Sequence, residues 1–246
     1  MTQRMEQYIS RLDSSRFGFT VAKIREVTDD TADLIAAMKA AGVELVIARL
    51  PAADVAGLNR LEDLGFRIKD LQVTHRFDLA RFAPAHVPAA GLAVRDFDAG
   101  DVDQIVDLAA RSFSGYGHYA ADQRLDRGLC RDGYADWARR SCEDSSVADK
   151  VIVAVDDRTV HGFLTLQISE SGGHRYAAGG LGAVAPEHRG NGAFSAVVAH
   201  GLEWGAALGL AWEEHNALAT NYPVHRVFAG LGFRIADASA TLHAWL

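Results

Sequence analysis

One short string occurs twice in this chain and fixes how the rest is read. Leu64-Gly65-Phe66-Arg67-Ile68 and Leu231-Gly232-Phe233-Arg234-Ile235 are identical, and the same spacing separates Asp70 from Asp237, Thr74 from Thr241 and Gly42 from Gly209. A repeat at fixed spacing marks one supersecondary unit used twice. Here it predicts a strand–helix–strand unit: strand Val43–Arg49 with helix Asp54–Leu64, then strand Ala211–Ala217 with helix Pro223–Leu231. A Gly turn and an extended run follow each helix.

The copies part where chemistry would sit. Val46, Ile47 and Ala48 in the first correspond to Glu213, Glu214 and His215 in the second. The first enters its earlier helix through Thr28-Asp29-Asp30-Thr31, an ordinary N-cap signal. The second enters through Pro186-Glu187-His188-Arg189-Gly190-Asn191-Gly192. The fold therefore requires neither a polar strand nor a glycine-rich loop at these places.

Between the copies, residues 83–91 are rich in Pro and Ala and read as a linker. Beyond it come a strand at Ala93-Val94-Arg95, helices at Asp98–Ser112 and Arg131–Cys142, and strands at Val151–Val155, His161–Ile168 and Tyr176–Ala185. That order predicts an α/β protein with helices on a mixed, mostly antiparallel sheet. The formal net charge of -7 opposes nonspecific nucleic-acid binding, which depends on Lys and Arg neutralising phosphates. Cys130 and Cys142 form no disulfide framework and show no metal spacing, which points to a reducing, cytoplasmic compartment, and no metal is expected. Met1–Gln7 lacks an apolar core, so no signal peptide is expected. The apolar window Ala193–Trp212 contains His200, Glu203 and several glycines, and reads as a buried helix rather than a membrane span.

A strand, a Gly-rich turn and a helix in succession can hold an anion. The first helical N–H groups lack internal partners and carry the positive end of the macrodipole. Arg189 adds a full charge. Taken alone, Arg189-Gly190-Asn191-Gly192 is a weak signal, because such turns are frequent and a plain strand–helix connection with a surface Arg accounts for it.

In context the segment Val184–Gly192 resembles the cofactor loop of the GNAT superfamily of acetyl-CoA-dependent acetyltransferases. Asn221, Val224, Val227, Phe228 and Gly232-Phe233 are similar to that family's second motif. The resemblance implies a complete GNAT domain over 92–246 preceded by a degenerate half-GNAT module over 1–82. It also implies acetyl-CoA, or another acyl-CoA, as cofactor. Ala183 and Val184 would pair with the pantetheine arm, Arg189, Gly190, Asn191, Gly192 and Ala193 would take the pyrophosphate, and Asn221 and Phe228 would lie beside the arm. Softer motifs resemble the dTDP-fucosamine acetyltransferase group: Asp13–Gly18, Leu64-Gly65-Phe66, Ser112-Phe113, Gly117-His118-Tyr119, Tyr134–Trp137 and His243-Ala244-Trp245. These imply a nucleotide-linked amino sugar as acceptor. Two residues depart from the family pattern. Phe194 stands where the loop usually has Gly or Ala, and Phe228 stands where a tyrosine often protonates the departing thiolate.

Acyl transfer to an amine needs a base or water chain to take a proton, and an N–H donor where the carbonyl gains charge. The candidates for proton transfer are Glu213, Glu214, His215, Tyr222 and His225. Strand alternation places Glu214 and Asn216 on one face and Glu213 and His215 on the other, without saying which faces the cleft. Glu214, His215 and Tyr222 are the expected catalytic residues. Tyr116, His118, Tyr119 and Arg124, with Glu213 and Asn216, form the expected acceptor side. Tyr134 and Trp137 read as core, and His161 as structural. A small-molecule amine is the expected partner, a second copy of the chain is a further option, and neither nucleic acid nor membrane is expected. Rival readings are acylation of another amine (an amino acid, an antibiotic or a protein N-terminus) and a non-catalytic acyl-CoA sensor.

Overall fold

The computed structural model describes residues 5–83, 87, 89 and 91–246, so part of the expected linker at 83–91 lies outside the described residues. The chain divides into two compact units. One comprises Met1–Val73, Gly115–Cys130 and Asp237–Leu246; the other comprises Thr74–Ser114 and Arg131–Ala236.

In the first unit, α1 (Arg11–Phe17), β1 (Val21–Ile24), α2 (Thr31–Ala40), β2 (Leu45–Pro51) and α3 (Val55–Asp63) precede β3, which spans Arg67–Asp78 and contributes to both units. β1 and β2 run parallel, with Val21 opposite Leu45. β2 pairs antiparallel with β9 (Arg234–Trp245), from Leu45 opposite Trp245 to Pro51 opposite Ser239. Ile35, Met38, Val46, Ala48, Leu61, Phe66, Leu242 and Ala244 form its core.

The second unit contains β4 (Ala93–Asp96), α4 (Val102–Phe113), β5 (Lys150–Asp156), β6 (Thr159–Ser171), β7 (His174–Val184), α7 (Ala193–Ala207), β8 (Trp212–Leu218) and α8 (Tyr222–Gly230). The short helix α5 (Gly117–Ala120) belongs to the first unit, and α6 (Arg127–Glu143) begins there. Strands β4, β5, β6 and β7 pair antiparallel in sequence order, and β7 pairs parallel with β8. Ile152, Leu164, Leu166, Val197, Val198, Leu202, Phe228 and Phe233 form this core. The apolar window is the buried helix α7, with Val197, Val198, Gly201 and Leu202 inward. Among the described residues no helix is long and apolar enough to cross a membrane.

The repeated string has a physical reason. Gly65 and Gly232 have φ of 87° and 91°, a left-handed conformation that favours glycine. Phe66 N–H donates to the Leu61 carbonyl at 3.0 Å and Phe233 N–H to the Phe228 carbonyl at 2.9 Å. Each copy thus ends its helix in a Schellman motif and buries the next Phe.

Three expectations shift. The helix expected at Asp98–Ser112 opens with a 3-10 turn capped by Asp98, and α6 starts four residues before the expected Arg131. Trp137, expected in the core with Tyr134, is 36% exposed. Tyr134 stacks on Phe113, but the buried face of α6 is set by the small residues Gly133, Ala138 and Ser141, leaving Trp137 at its rim.

Candidate active site

β7 positions the site by leaving its neighbour. Leu164 lies opposite Gly182 and Leu166 opposite Gly179, so Gly180 and Leu181 form a bulge in β7 facing Thr165. The Thr165 hydroxyl accepts the Leu181 N–H at 2.8 Å, and a Cβ on Gly180 would come within 2.4 Å of that oxygen. Bulges bend a strand and interrupt its ladder. The β7–β8 pairing consists of Ala177 with Glu213 and Ala178 with Glu214, although the strands continue to Val184 and Leu218. Beyond those pairs the sheet has a gap.

His215 stands at the head of this gap. Its Nε2 meets Glu213 Oε1 at 2.6 Å, and its ring stacks on Phe228 at 5.0 Å and 15°. Nδ1 faces Gly179 closely enough that a Cβ there would lie 2.0 Å from it. Glu213 and His215 are 0% and 4% exposed, and Glu213 Oε2 has no hydrogen-bond partner. Burial pushes the Glu213 carboxyl above its ordinary value, and the bond to His215 pulls partly the other way. Gly201 of α7 admits this carboxylate, since a Cβ there would sit 3.0 Å from Oε2.

Glu214 and Asn216 take the other face. Arg76 donates to Glu214 Oε2 through Nη2 at 2.7 Å and Nε at 3.0 Å, and the Thr74 hydroxyl donates to Asn216 Oδ1 at 2.6 Å. The Arg76 guanidinium lies 4.5 Å over the Trp212 ring. Beside it is a pocket of about 490 Å³ whose lining includes Arg76, Arg81, His174, Trp212 and Arg234.

At the far end of β7, the 3-10 turn Pro186–His188 leads to Arg189, whose Nε donates to the Val184 carbonyl at 3.2 Å. Gly190 and Gly192 have φ of 80° and 85°. From Gly190 to Ala193, no backbone N–H donates to a backbone carbonyl among the described residues. Ala193 then opens α7. The result is a cluster of free N–H groups at a helix N-terminus, suited to an anion.

The model of the acetyltransferase (GNAT) family matches residues 103–233, more than half of the chain. The chain belongs to the GNAT family of acetyltransferases. Among solved structures, a tandem GNAT protein from the clavulanic acid biosynthesis pathway is similar, with TM-score 0.64, 18% identity and coverage of 87% of this chain and 68% of that one. An N-acetyltransferase from Kribbella flavida has TM-score 0.59 and 12% identity over 91% of this chain and 80% of that one. The glucosamine N-acetyltransferase region of a fungal multi-domain beta-N-acetylglucosaminidase has TM-score 0.57 and 13% identity over 86% of this chain and 27% of that one. At these identities the likeness is one of fold, and the fold is the expected one, a mostly antiparallel mixed sheet flanked by helices. No curated protein matches the sequence.

GNAT enzymes take their acyl group from acetyl-CoA, and the loop from Arg189 to Ala193 fits the donor's phosphates through its free N–H groups and Arg189. Phe194 does not crowd that seat. Its ring turns inward, so that a Cβ on Gly182 would lie 3.0 Å from it, and it meets Phe228 edge-on at 6.0 Å. Ala183 and Val184 pair with Phe163 and Gly162 of β6, leaving their other strand edge on the gap side. Asn221 caps α8 without a side-chain cap bond, and Tyr222 is 62% exposed. His225 Nε2 bonds the Leu218 carbonyl at 3.0 Å, so this ring holds the turn before α8.

The other expected acceptor residues lie in the first unit, within a network of their own. His118 Nδ1 meets His243 Nε2 at 2.8 Å, and His243 Nδ1 meets Asp122 Oδ2 at 2.7 Å. Burial, then the neighbouring His243, hold the His118 imidazole well below its ordinary value. The Tyr119 hydroxyl donates to Asp13 Oδ1 at 2.7 Å, Arg124 lies 4.1 Å over the Trp245 ring, and Tyr116 precedes α5 as its N-cap. Sequence reasoning missed Thr165, Gly179, Gly180 and Arg76. Consecutive glycines within a strand were the available signal, because they mark bulges and close approaches.

Proposed function

We propose that this GNAT protein transfers an acetyl or other short acyl group from CoA to the primary amine of a small acceptor, with His215 as the group that handles the proton. The observation that carries this is the buried Glu213–His215 pair at the head of the β7–β8 gap. Bound acetyl-CoA supplies a thioester carbonyl and a thiol leaving group. The amine nitrogen bonds to that carbon, the carbon–sulfur bond breaks, and one proton passes from nitrogen to sulfur. With Glu213 ionised, His215 donates Nε2–H to it and presents Nδ1 as the proton acceptor. The flat stack on Phe228 puts this ring beside the position where the family often has a tyrosine. His215 can therefore supply the proton that Phe228 lacks.

A nucleotide-linked amino sugar is the proposed acceptor. Arg76, Arg81 and Arg234 line one pocket on the Glu214 face of β8, across the strand from His215; Glu214 holds Arg76 and Asp78 holds Arg81, which leaves Arg234 to pair with a phosphate oxygen. A cytoplasmic location accords with two free thiols, whose values burial pushes up to about 11.

The test is thermal unfolding with acetyl-CoA, followed by thiol release over a panel of amines. Binding at a hundredfold excess over Kd stabilises by roughly 2.7 kcal/mol, and Gly192→Asp should abolish the shift. Amino-sugar nucleotides should release thiol in the wild type and far less in His215→Asn. No shift with any acyl-CoA would sink the proposal. A shift without thiol release for any amine would leave a sensor instead of an enzyme.

A further inference from the structure

The turn end of the β5–β6 hairpin carries a cluster that acyl transfer does not use. Asp156 ends β5, His161 is the third residue of β6, and His188 ends the 3-10 turn before Arg189. One ligand atom from each lies within 4.8 Å of the other two. His161 Nε2 meets Asp156 Oδ1 at 2.7 Å, and the two imidazole centroids are 3.8 Å apart.

Backbone pairing holds these side chains together. Ala154 lies opposite Gly162 and Val155 opposite Val160, which leaves His161 as the extra residue of a β-bulge. Such a residue is re-aimed relative to its neighbours. The His161 carbonyl accepts the Ala185 N–H at 2.7 Å, and the Ala185 carbonyl accepts the His188 N–H at 2.9 Å. Three potential ligands from three chain segments are thus brought to one point. Their spacing along the chain follows no metal motif, so no metal is expected here from sequence alone.

We propose that Asp156, His161 and His188 bind one divalent transition-metal cation, with Zn²⁺ the best match, and with water in the fourth position. Two imidazole nitrogens and a carboxylate oxygen are a donor set that Zn²⁺ takes, at about 2.0–2.2 Å. Tetrahedral bonds of that length put ligand atoms roughly 3.3 Å apart. The 2.7 Å pair must open slightly and the widest separation must close by less than about 1.5 Å, both within side-chain rotation. Asp156 is exposed, which gives the cation and its water an entry path. A bound cation would tie the hairpin to the turn that leads into Arg189.

The test is calorimetric titration of tag-free, chelator-treated chain with Zn²⁺, alongside the visible spectrum of the Co²⁺ form. One equivalent should bind, with the intense absorption of tetrahedral Co²⁺. His188→Ala should weaken binding by at least about a hundredfold, since loss of a mere supporting partner costs 10–100-fold. Asp156→Asn should weaken it too, whereas His174→Ala and His200→Ala should not. His188 is half-buried on a surface turn, so circular dichroism of His188→Ala should match the wild type. Failure of the wild type to bind stoichiometrically, or unchanged affinity in His188→Ala, would overturn the proposal. The experiment needs neither CoA nor acceptor, so its result is independent of the acyl-transfer reading.

Discussion

Gly179→Ala tests whether the His215 ring stands in the gap of the sheet. A Cβ at Gly179 would lie 2.0 Å from Nδ1, 2.7 Å from Cε1 and 2.9 Å from Cγ of His215. Reaching an ordinary contact of 3.4 Å requires a retreat of about 1.4 Å (3.4 − 2.0). The ring has little room for it, because Phe228 stacks on one face and Glu213 holds Nε2 at 2.6 Å. Overpacking of this kind costs about 1–3 kcal/mol, and a retreat of that size breaks the bond to Glu213. Loss of a positioned acid–base group lowers turnover by about 10²–10⁴. The assay is thiol release at saturating acetyl-CoA and amine, with urea unfolding in parallel. In the double variant Gly179→Ala/His215→Ala the clash is gone, so the stability losses should fall short of additive by about 0.5–3 kcal/mol. Single-variant stability within about 0.5 kcal/mol of wild type, or strictly additive losses, would show that the ring is elsewhere.

Two further outcomes follow from the same geometry. Burial raises the Glu213 carboxyl above its ordinary 4.5, so the folded chain holds that proton to higher pH than the unfolded chain does. The stabilisation is full below pH 4.5 and is lost as pH rises through the elevated value, so Glu213→Gln should gain stability relative to wild type over that window. Parallel pH series of thermal unfolding check this, and a constant difference would refute it. Phe194→Ala should lose stability, up to about 3–5 kcal/mol, from packing against Gly182 and Phe228, yet leave acetyl-CoA affinity unchanged by calorimetry because the ring turns away from the phosphate seat. Weaker binding would mean that the ring supports the site.

The sequence was informative wherever a local rule decides structure. The paired Leu-Gly-Phe strings mark helix ends because a left-handed residue and a buried ring are needed there, and both are visible in one short string. Period-two alternation correctly divided Glu213 and His215 from Glu214 and Asn216. It could not say which pair is buried, because partners far along the chain decide that: Arg76 is 138 residues from Glu214, and Thr74 is 142 from Asn216. The gap was illegible for a similar reason. It depends on a bulge whose existence is a matter of register between β6 and β7, and Gly179-Gly180 only hinted at it. Trp137 was misplaced because it lies three residues from Tyr134 on one helix face, which suggested core, while small residues elsewhere on α6 set the packed face.

The repeat turns burial into an argument about function. Glu213 and His215 occupy the positions of Val46 and Ala48, and all four are essentially inaccessible, at 0%, 4%, 0% and 0%. One chain therefore buries two apolar side chains at one strand and an acid–imidazole pair at its counterpart. Replacing a buried ionic pair by apolar residues is often neutral or stabilising by about 1–4 kcal/mol, so packing alone gives no reason to keep the pair. A hydrogen-bonded network built for rigidity would satisfy its members, yet Glu213 Oε2 is unpartnered and Nδ1 of His215 is turned toward the gap. The first copy's parallel pairing runs through Ala48, the counterpart of His215, whereas the β7–β8 pairing ends at Glu214, just before the imidazole. Cost, orientation and gap coincide at one residue, and this coincidence is what supports the proposed proton-handling role of His215 over that of a buried core histidine.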